Sequence, residues 1–181
     1  MSRITTITAD RATAEQQALF DAIHAQLGFV PNFLRVFANS PAALKAFLGL
    51  FGIAGSGSLE RTTRERIALA VAQQNECAYC LSAHTLLGAK AGLSNEEIHA
   101  SRAGTSADAR AAQAVKFARA ILLHNGEVST ADLLEVRNAG YSDAEIVEII
   151  THVGLNFLTN ILNNASHVEI DFPTVDVKLA A

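Results

Sequence analysis

The chain is predicted to be an all-α protein. Helix-capping patterns recur along it, apolar residues recur at helical spacing, and no segment alternates convincingly like a β-strand. The helical spacing is clearest in the middle of the chain, where one helix face would carry Ala111, Val115, Ala118 and Leu122. We therefore expect helices throughout, with any extended segment confined to the connections and the tail.

The first helix is bounded by a capping signal and a glycine. Thr13 followed by Gln16 has the pattern of a capping box, in which two residues satisfy backbone N–H groups that the first helical turn leaves unpaired. The pattern predicts a helix that runs to about Leu27 and is closed by Gly28.

The next helices begin at prolines and at a second capping pattern. Pro31 and Pro41 each suit the first turn of a helix, where a missing N–H group does no harm. Residues 55–58, GSGS, predict a short loop. Thr62 and Glu65 then form a capping-box pattern, which predicts the start of a helix of small apolar residues.

The middle of the chain contains two similar segments. Asn75 and Glu76 are expected to end the helix of small residues, and a second helix would carry both cysteines to about Gly92. Residues 91–98 and 139–146 match at Ala-Gly, Ser, Glu and Ile, and each combines a helix end, a glycine turn and a new capping box. Shared cap chemistry and an internal duplication both explain this similarity.

The last long helix is predicted at about residues 142–165, followed by an extended tail from Glu169. This helix is apolar on most sides, so we expect it to be the most buried element. Within it His152, Asn156 and Asn160 recur at four-residue spacing, and buried polar groups need partners. These side chains could line a pocket beside the cysteines or form hydrogen bonds across a subunit interface.

Composition restricts the class of partner. Hydrophobic residues make up 50% of the 181 residues and charged residues 18%, below the roughly 25% that is usual in globular domains. This shortage of charge suggests that other subunits cover part of the surface. The net charge is -4 and no basic cluster is present, which argues against nucleic acid as a partner.

The sequence favours a single cytoplasmic domain over residues 1–181. Its length suits one sizeable core, and no run approaches the roughly 18 uninterrupted apolar residues of a membrane span. The polar start, MSRITTITADR, lacks the apolar core of a secretion signal. Thiols are normally kept reduced in the cytoplasm, so we do not expect the lone pair of cysteines to form a structural disulfide.

The cysteines and a histidine share one helix face in NECAYCLSAHTLLG. On a helix, Cys77, Cys80 and His84 fall within about 60° of one another, and Cys80 and His84 are neighbours one turn apart. Cys77 is expected in the first turn, where unpaired N–H groups and the helix dipole favour a thiolate. This stretch therefore offers two thiols and a potential base.

Glu65 joins this group if the two helices around Asn75 form an antiparallel hairpin. Counted outward from the turn, Glu65 comes opposite residues 85–86, within a turn of His84. A carboxylate there could fix the imidazole tautomer and strengthen it as a proton acceptor. The alternative is that Glu65 only completes the capping box. The order Glu65, His84, Cys80 corresponds to an acid, a base and a thiol nucleophile.

A zinc site is the main chemical alternative. Cys77, Cys80 and His84 could supply three ligands, but a structural zinc site needs four and the sequence has no second cysteine pair. The fourth ligand would be Glu65 or another histidine, none of which has a ligand-like spacing. These histidines are His24, His99, His124, His152 and His167.

Residues 59–92 resemble the alkylhydroperoxidase D family of the carboxymuconolactone decarboxylase superfamily. The family signature is a glutamate, eleven residues, C-x-x-C, three residues, a histidine, three residues and a glycine. The residues that match it are Glu65, Cys77, Cys80, His84 and Gly88. The likeness extends more loosely over GFVPNFLRVFANSPAAL, which is typical of the peroxidase-related branch, and over AGYSDAEI.

The resemblance implies a bundle of about eight to nine helices and a homo-oligomer. It also implies peroxidase or disulfide reductase activity without metal or flavin. Members are thought to attack with the cysteine nearer the histidine, which corresponds to Cys80, with Cys77 resolving. The helix end favours Cys77 as the more acidic thiol, so reasoning from the residues leaves the two cysteines open. Tyr79 stands where some members have a histidine between the cysteines.

These observations favour a thiol-dependent peroxidase that reduces hydroperoxides through the cysteine pair and is reset by an external dithiol or a disulfide-reductase electron donor. Disulfide reduction of a partner could be the main activity of the same residues. The superfamily also contains carboxymuconolactone decarboxylase-like lyases, which generally lack the cysteine pair. A non-enzymatic redox sensor or zinc-binding helical protein is the third alternative.

Overall fold

A computed structural model describes residues 2–179 of the chain. The described residues form nine α-helices and one short 3-10 turn, Ala9–Arg11, and contain no β-strand, so the all-α prediction is confirmed. The helices are α1 (Ala14–Leu27), α2 (Asn32–Phe37), α3 (Pro41–Gly55), α4 (Arg61–Gln74), α5 (Ala78–Ala91), α6 (Asn95–Ala103), α7 (Ala109–Leu123), α8 (Thr130–Asn138) and α9 (Asp143–Ser166).

Helix α4 lies at the centre of the molecule. It packs against α5, α6, α7 and α9, and every residue from Arg66 to Ala72 is buried. Most of these residues are small, so neighbouring helices approach α4 closely on several sides. Ile67 and Val71 share one core cluster with residues of α7, α8 and α9, whereas α1, α2 and α3 form a second cluster that reaches Leu155 of α9.

The expectation that α9 would be the most buried element is wrong. Its inner face packs on α4, but Val147, Ile150, Phe157, Leu158 and Ile161 on its outer face are between 42% and 61% exposed. The sequence misled because an apolar residue on the outer face looks the same as one on the inner face. Apolar character on all sides here marks a helix with one covered and one uncovered face.

The predicted capping box at Thr62 is also wrong. Helix α4 begins one residue earlier, at Arg61, after the N-cap residue Glu60, which makes no side-chain cap hydrogen bond. Thr62 therefore lies inside the helix. Glu65 is no longer needed as a capping partner, and its carboxylate is directed elsewhere.

The remaining caps follow the sequence with one difference. Thr13 and Ser142 each head a complete capping box, and Gly28 ends α1 in the left-handed conformation with φ of 79°. Ser94 accepts a hydrogen bond from the Glu97 N–H group, but the return bond is missing. The Glu97 carboxylate instead accepts hydrogen bonds from Arg66, Ser106 and Ala107 and ties α6 to α4.

Besides Ser166 at its end, the inner face of α9 carries four buried polar side chains. They are His152, Asn156, Asn160 and Asn163, each less than 8% exposed. Helix α9 is long and apolar enough to cross a membrane, with a mean hydropathy of 1.2 over its window, of which 44% is buried in the structure. Core helices of folded domains pass the same test, and the packing of α9 against α4 and α3 identifies it as one of them.

The segment after α9 has no regular secondary structure and covers the start of α5. Val168 is buried among residues that include both cysteines, and Phe172 and Val175 pack against the same cluster. Backbone and side-chain hydrogen bonds hold the segment in place. They join Tyr79 to Asp171, Ser82 to Val175, Gln73 to Val177, and Arg102 to Asp176. We call residues 167–179 the tail.

Acid should destabilise the fold through His152. Burial and the Arg64 guanidinium lower the pKa of this histidine from 6.5, against the opposing effect of Glu148 and Glu65. As the pH falls through about 6.5, the unfolded chain gains a proton that the folded chain does not, so the free energy of unfolding decreases. Denaturant titrations at about pH 7.5 and about pH 5 should show a smaller loss in His152→Gln than in wild type.

The exposed His24 provides the matched control for this measurement. His24→Gln should keep the pH dependence of the wild-type protein. An equal loss in wild type and His152→Gln would contradict the assignment of the acid sensitivity to His152.

The tail should limit access to the disulfide that joins Cys77 and Cys80. Tyr79 donates a hydrogen bond of 2.6 Å to Asp171 of the tail, and Tyr79→Phe removes it. We expect a soluble phosphine to reduce the disulfide about 2- to 10-fold faster, the factor that corresponds to one hydrogen bond. Tyr141→Phe is the control, because Tyr141 is equally buried but packs in the cluster of α4, α7, α8 and α9. Equal reduction rates in wild type and Tyr79→Phe would count against the tail as a barrier.

Candidate active site

The hairpin of α4 and α5 builds the site. Asn75 ends α4, Glu76 takes the left-handed conformation with φ of 50°, and Cys77 is the N-cap of α5. Asn75 is held from the side by α9, because its amide donates to Asn160 and its carbonyl accepts from Asn164. The predicted break between the two helices is confirmed, and the tight turn sets them side by side.

Glu65 and His84 meet across this hairpin. The Glu65 Oε2 atom lies 2.8 Å from His84 Nδ1, and the two side chains are 15% and 19% exposed. A carboxylate accepts the Nδ1 proton of a neutral imidazole, which leaves Nε2 free as a proton acceptor. The predicted contact is therefore present, and the imidazole it orients can exchange protons with solvent.

The two cysteines are joined by a disulfide and lie out of solvent. Cys77 is 0% exposed and Cys80 3%, and their Cα atoms are 5.3 Å apart. Sγ of Cys77 also caps α5, since it accepts a hydrogen bond of 3.2 Å from the Cys80 backbone N–H group. The sulfur expected at the positive helix end is thus in contact with a helix N–H donor.

Asn163 is a site residue that the sequence did not reveal. Its Nδ2 atom donates a hydrogen bond of 3.3 Å to Sγ of Cys80, and the side chain is 4% exposed. The two residues are 83 positions apart, so no local pattern links them. The available signal was the row of polar residues His152, Asn156 and Asn160 on α9, which continues to Asn163 at helical spacing. We call this row the polar stripe.

Other members of the stripe do not reach the sulfurs. Asn160 binds the Asn75 side chain, and the Asn156 amide donates to the His152 carbonyl one turn back. The stripe thus supports the hairpin turn and contacts the disulfide only at Asn163. Within residues 2–179, no hydrogen bond joins His84 to either sulfur in the oxidised state.

Tyr79, between the cysteines, anchors the tail. Its hydroxyl donates to Asp171 Oδ1 at 2.6 Å and accepts from the Phe33 N–H group at 3.4 Å. Burial, followed by the hydrogen bond to Asp171, raises the pKa of Tyr79 well above its ordinary value. This phenol therefore stays protonated at neutral pH and serves as a structural donor.

Gly88 completes the motif for a packing reason. A Cβ atom at this position would come within 3.2 Å of Leu93 and 3.7 Å of both Leu69 and Ile98. The glycine lets α5 lie close to α4 and α6. The close approach of α4 and α5 is what lets Glu65 reach His84.

The polar groups of the motif are engaged with one another. Sγ of Cys77 is bonded to Sγ of Cys80, and Nδ1 of His84 is bonded to Glu65. Among residues 2–179, no group of three or more His, Cys, Asp or Glu side chains is arranged to hold a metal ion. The arrangement as it stands suits proton transfer and thiol–disulfide chemistry.

Sequence comparison connects the chain with known proteins. Residues 41–122 match the model of the carboxymuconolactone decarboxylase family. The uncharacterized protein YdfG of Bacillus subtilis (strain 168) is 32% identical over 69 residues, which are 38% of this chain and 47% of YdfG. The match thus spans about half the length of that relative.

Solved structures share the whole fold. A peroxidase-related protein from Silicibacter sp. TM1040 is 26% identical with a TM-score of 0.81, covering 93% of this chain and 91% of that one. A peroxidase-related protein from Ralstonia eutropha JMP134, described as an alkylhydroperoxidase AhpD core, is 21% identical with a TM-score of 0.84, covering 94% and 92%. The debrominase Bmp8, solved with 2,3,4-tribromopyrrole, is 20% identical with a TM-score of 0.78, covering 93% and 91%. The family-model match and the peroxidase-related structure from Silicibacter support the resemblance to the carboxymuconolactone decarboxylase superfamily that the cysteine motif carries, and the fold is that of the alkylhydroperoxidase AhpD core.

Proposed function

We propose that the protein is a thiol-dependent peroxidase in which Cys80 attacks a hydroperoxide and Cys77 resolves the product. The observation that carries the proposal is the hydrogen bond between Glu65 and His84 on the helix that also bears the disulfide. The peroxidase-related structural neighbours and the cysteine pair support the same chemistry. As proposed, the reaction takes place in the cytoplasm with a dithiol or disulfide reductase as electron donor.

The proton relay would work as follows. Glu65 holds the Nδ1 proton of His84, so that Nε2 is the basic nitrogen. In the reduced protein Nε2 accepts the thiol proton of Cys80, directly or through a water molecule. Because His84 and Glu65 are partly exposed whereas the sulfurs are buried, the pair provides a path for protons between the thiol and solvent.

The chemical steps balance over one cycle. The Cys80 thiolate attacks the O–O bond, forms an S–O bond and expels an alkoxide, which takes the proton from His84 and leaves as an alcohol. The Cys77 thiol then displaces water from the Cys80 sulfenic acid and forms the disulfide. An external dithiol reduces this disulfide by exchange and is itself oxidised. The net reaction converts a hydroperoxide and a dithiol into an alcohol, water and a disulfide.

Steady-state assays test the proposal. With an organic hydroperoxide and a dithiol donor, Cys80→Ser should abolish turnover, because no thiolate remains to attack oxygen. When the dithiol donor is left out, Cys77→Ser should consume one equivalent of hydroperoxide and stop at the sulfenic acid, because no second thiol is present to condense with it. Glu65→Gln should lower turnover by about 10- to 100-fold, since the imidazole loses its orienting partner. Glu60→Gln, at the exposed N-cap of the same helix, is the matched control and should be fully active.

Each rival predicts a different outcome in these assays. A lyase would act on a carboxymuconolactone-like ring acid without a dithiol, and a redox sensor would be oxidised once without turnover. Replacement of the hydroperoxide by 2,3,4-tribromopyrrole tests the activity named for Bmp8. Full hydroperoxide turnover in Cys80→Ser, or turnover of the bromopyrrole alone, would rule out the peroxidase.

We also propose that the protein is a homo-oligomer formed through the outer face of α9 and the adjoining part of α3. On α3, Leu50, Phe51 and Ile53 are 41%, 54% and 76% exposed, and α3 packs beside α9. Together with the apolar outer face of α9, they form exposed apolar surface of the kind that marks an interaction site. A second copy of the chain is the partner that this low-charge surface fits.

A charge in this surface should separate the subunits. Ile161→Glu puts a carboxylate on the outer face of α9, and burying it in an apolar interface is strongly unfavourable. Light scattering after gel filtration should show an oligomer for wild type and a monomer for Ile161→Glu. Leu134→Glu, at a half-exposed position on α8, should stay oligomeric. A monomeric wild-type protein at micromolar concentration would contradict the proposal.

A further inference from the structure

We propose that Asn163 is a catalytic residue that stabilises the Cys80 thiolate by donating a hydrogen bond from its side-chain amide. This inference rests on the proposed function in one respect, which is that Cys80 is the attacking sulfur. It adds a donor from α9 to the acid–base pair that the motif supplies from α4 and α5. The residue lies outside the family-model match, which ends at residue 122.

The geometry of Asn163 is that of a committed donor. Nδ2 lies 3.3 Å from Sγ of Cys80, while Oδ1 of the same amide is buried and has no hydrogen-bond partner among residues 2–179. A disulfide sulfur or a thiolate only accepts, so the NH2 end is the end that can bond to it.

The surrounding backbone holds the amide in position. Asn163 is in the last turn of α9, and its carbonyl accepts hydrogen bonds from the His167 and Val168 N–H groups. Neighbouring Asn160 and Asn164 are tied to Asn75 at the turn that leads into Cys77. The donor and the sulfur are therefore fixed on two elements that are themselves cross-linked.

The hydrogen bond gains strength when the disulfide opens. A disulfide sulfur is a weak acceptor, whereas a thiolate carries a full negative charge, and hydrogen bonds to charged groups are roughly twice as strong as neutral ones. Cys80 is 3% exposed, so water stabilises its thiolate little. Asn163 replaces that water from one side while His84 accepts the proton. Sγ of Cys77 instead accepts a hydrogen bond from the Cys80 backbone N–H group.

The experiment titrates Cys80 alone, in a Cys77→Ser background in which serine remains a good N-cap. The ultraviolet absorbance of the thiolate and the rate of alkylation, both followed against pH, report its titration midpoint. Asn163→Leu removes the donor at similar volume and should raise the midpoint by about one pH unit, which is about tenfold less thiolate at any pH below it. Asn163→Asp also removes the donor and should raise it at least as far.

Asn156→Leu is the matched control, because Asn156 is also a buried asparagine of α9 and its amide bonds to the His152 carbonyl, not to a sulfur or to the hairpin turn. It should leave the midpoint of Cys80 unchanged, although the fold loses stability. A midpoint that stays the same in Asn163→Leu, or that shifts equally in Asn156→Leu, would overturn the proposal.

A measurement on the native asparagine covers the case in which the variants do not fold. In 15N-labelled Cys77→Ser protein, the side-chain NH2 resonance of Asn163 should move with the same midpoint as Cys80. A resonance that does not shift as Cys80 titrates would also overturn the proposal. This readout does not involve peroxide, so it separates the two proposals. A shifted midpoint without peroxide turnover would contradict the peroxidase activity and support the role of Asn163. Peroxide turnover with an unshifted midpoint would support the activity and contradict the role of Asn163.

Discussion

A carboxylate and an imidazole bonded across two antiparallel helices fix the register of the hairpin on which the site is built. With Glu65 and His84 only 2.8 Å apart and largely enclosed, a slip of α5 by one residue along α4 would turn one partner away and leave the other without its hydrogen bond. Gly88 permits the close approach, and the turn at Asn75 and Glu76 sets the starting point. The position of both sulfurs follows from this register.

The site takes its four kinds of polar group from three helices. The carboxylate comes from α4, the thiols and imidazole from α5, and the amide from α9, and α4 contacts both of the others over much of its length. The small apolar residues of α4 make this possible, since larger side chains would hold the neighbouring helices apart. Helix α4 therefore contributes to the site in two ways: its small side chains allow the neighbouring helices to pack closely, and it carries Glu65.

Local signals in the sequence were sufficient for much of the fold and for half of the site. Caps and helical spacing predicted the all-α class and the hairpin, and counting outward from Asn75 predicted that Glu65 meets His84. The capping box at Thr62 was wrong because the same residue pattern fits the interior of a helix that starts one residue earlier. The extended tail was predicted, but the contacts that Asn163 and the tail make with α5 could not be, because they join parts of the chain some 80 to 100 positions apart, as in the 83 between Asn163 and Cys80. The outer face of α9 was misjudged since apolar sequence does not tell a covered face from an uncovered one.

The cover over the sulfurs is made by the stretch that follows Ser166, whereas Glu65, Cys77, Cys80, His84 and Asn163 all precede it. A protease that cut just after α9 would leave each of these side chains on its helix and would remove the apolar residues that cover the sulfurs. The disulfide would then be open to any small thiol in the surroundings. Nicked material in a preparation would therefore oxidise small thiols faster than the intact protein does, while its helical content stayed the same.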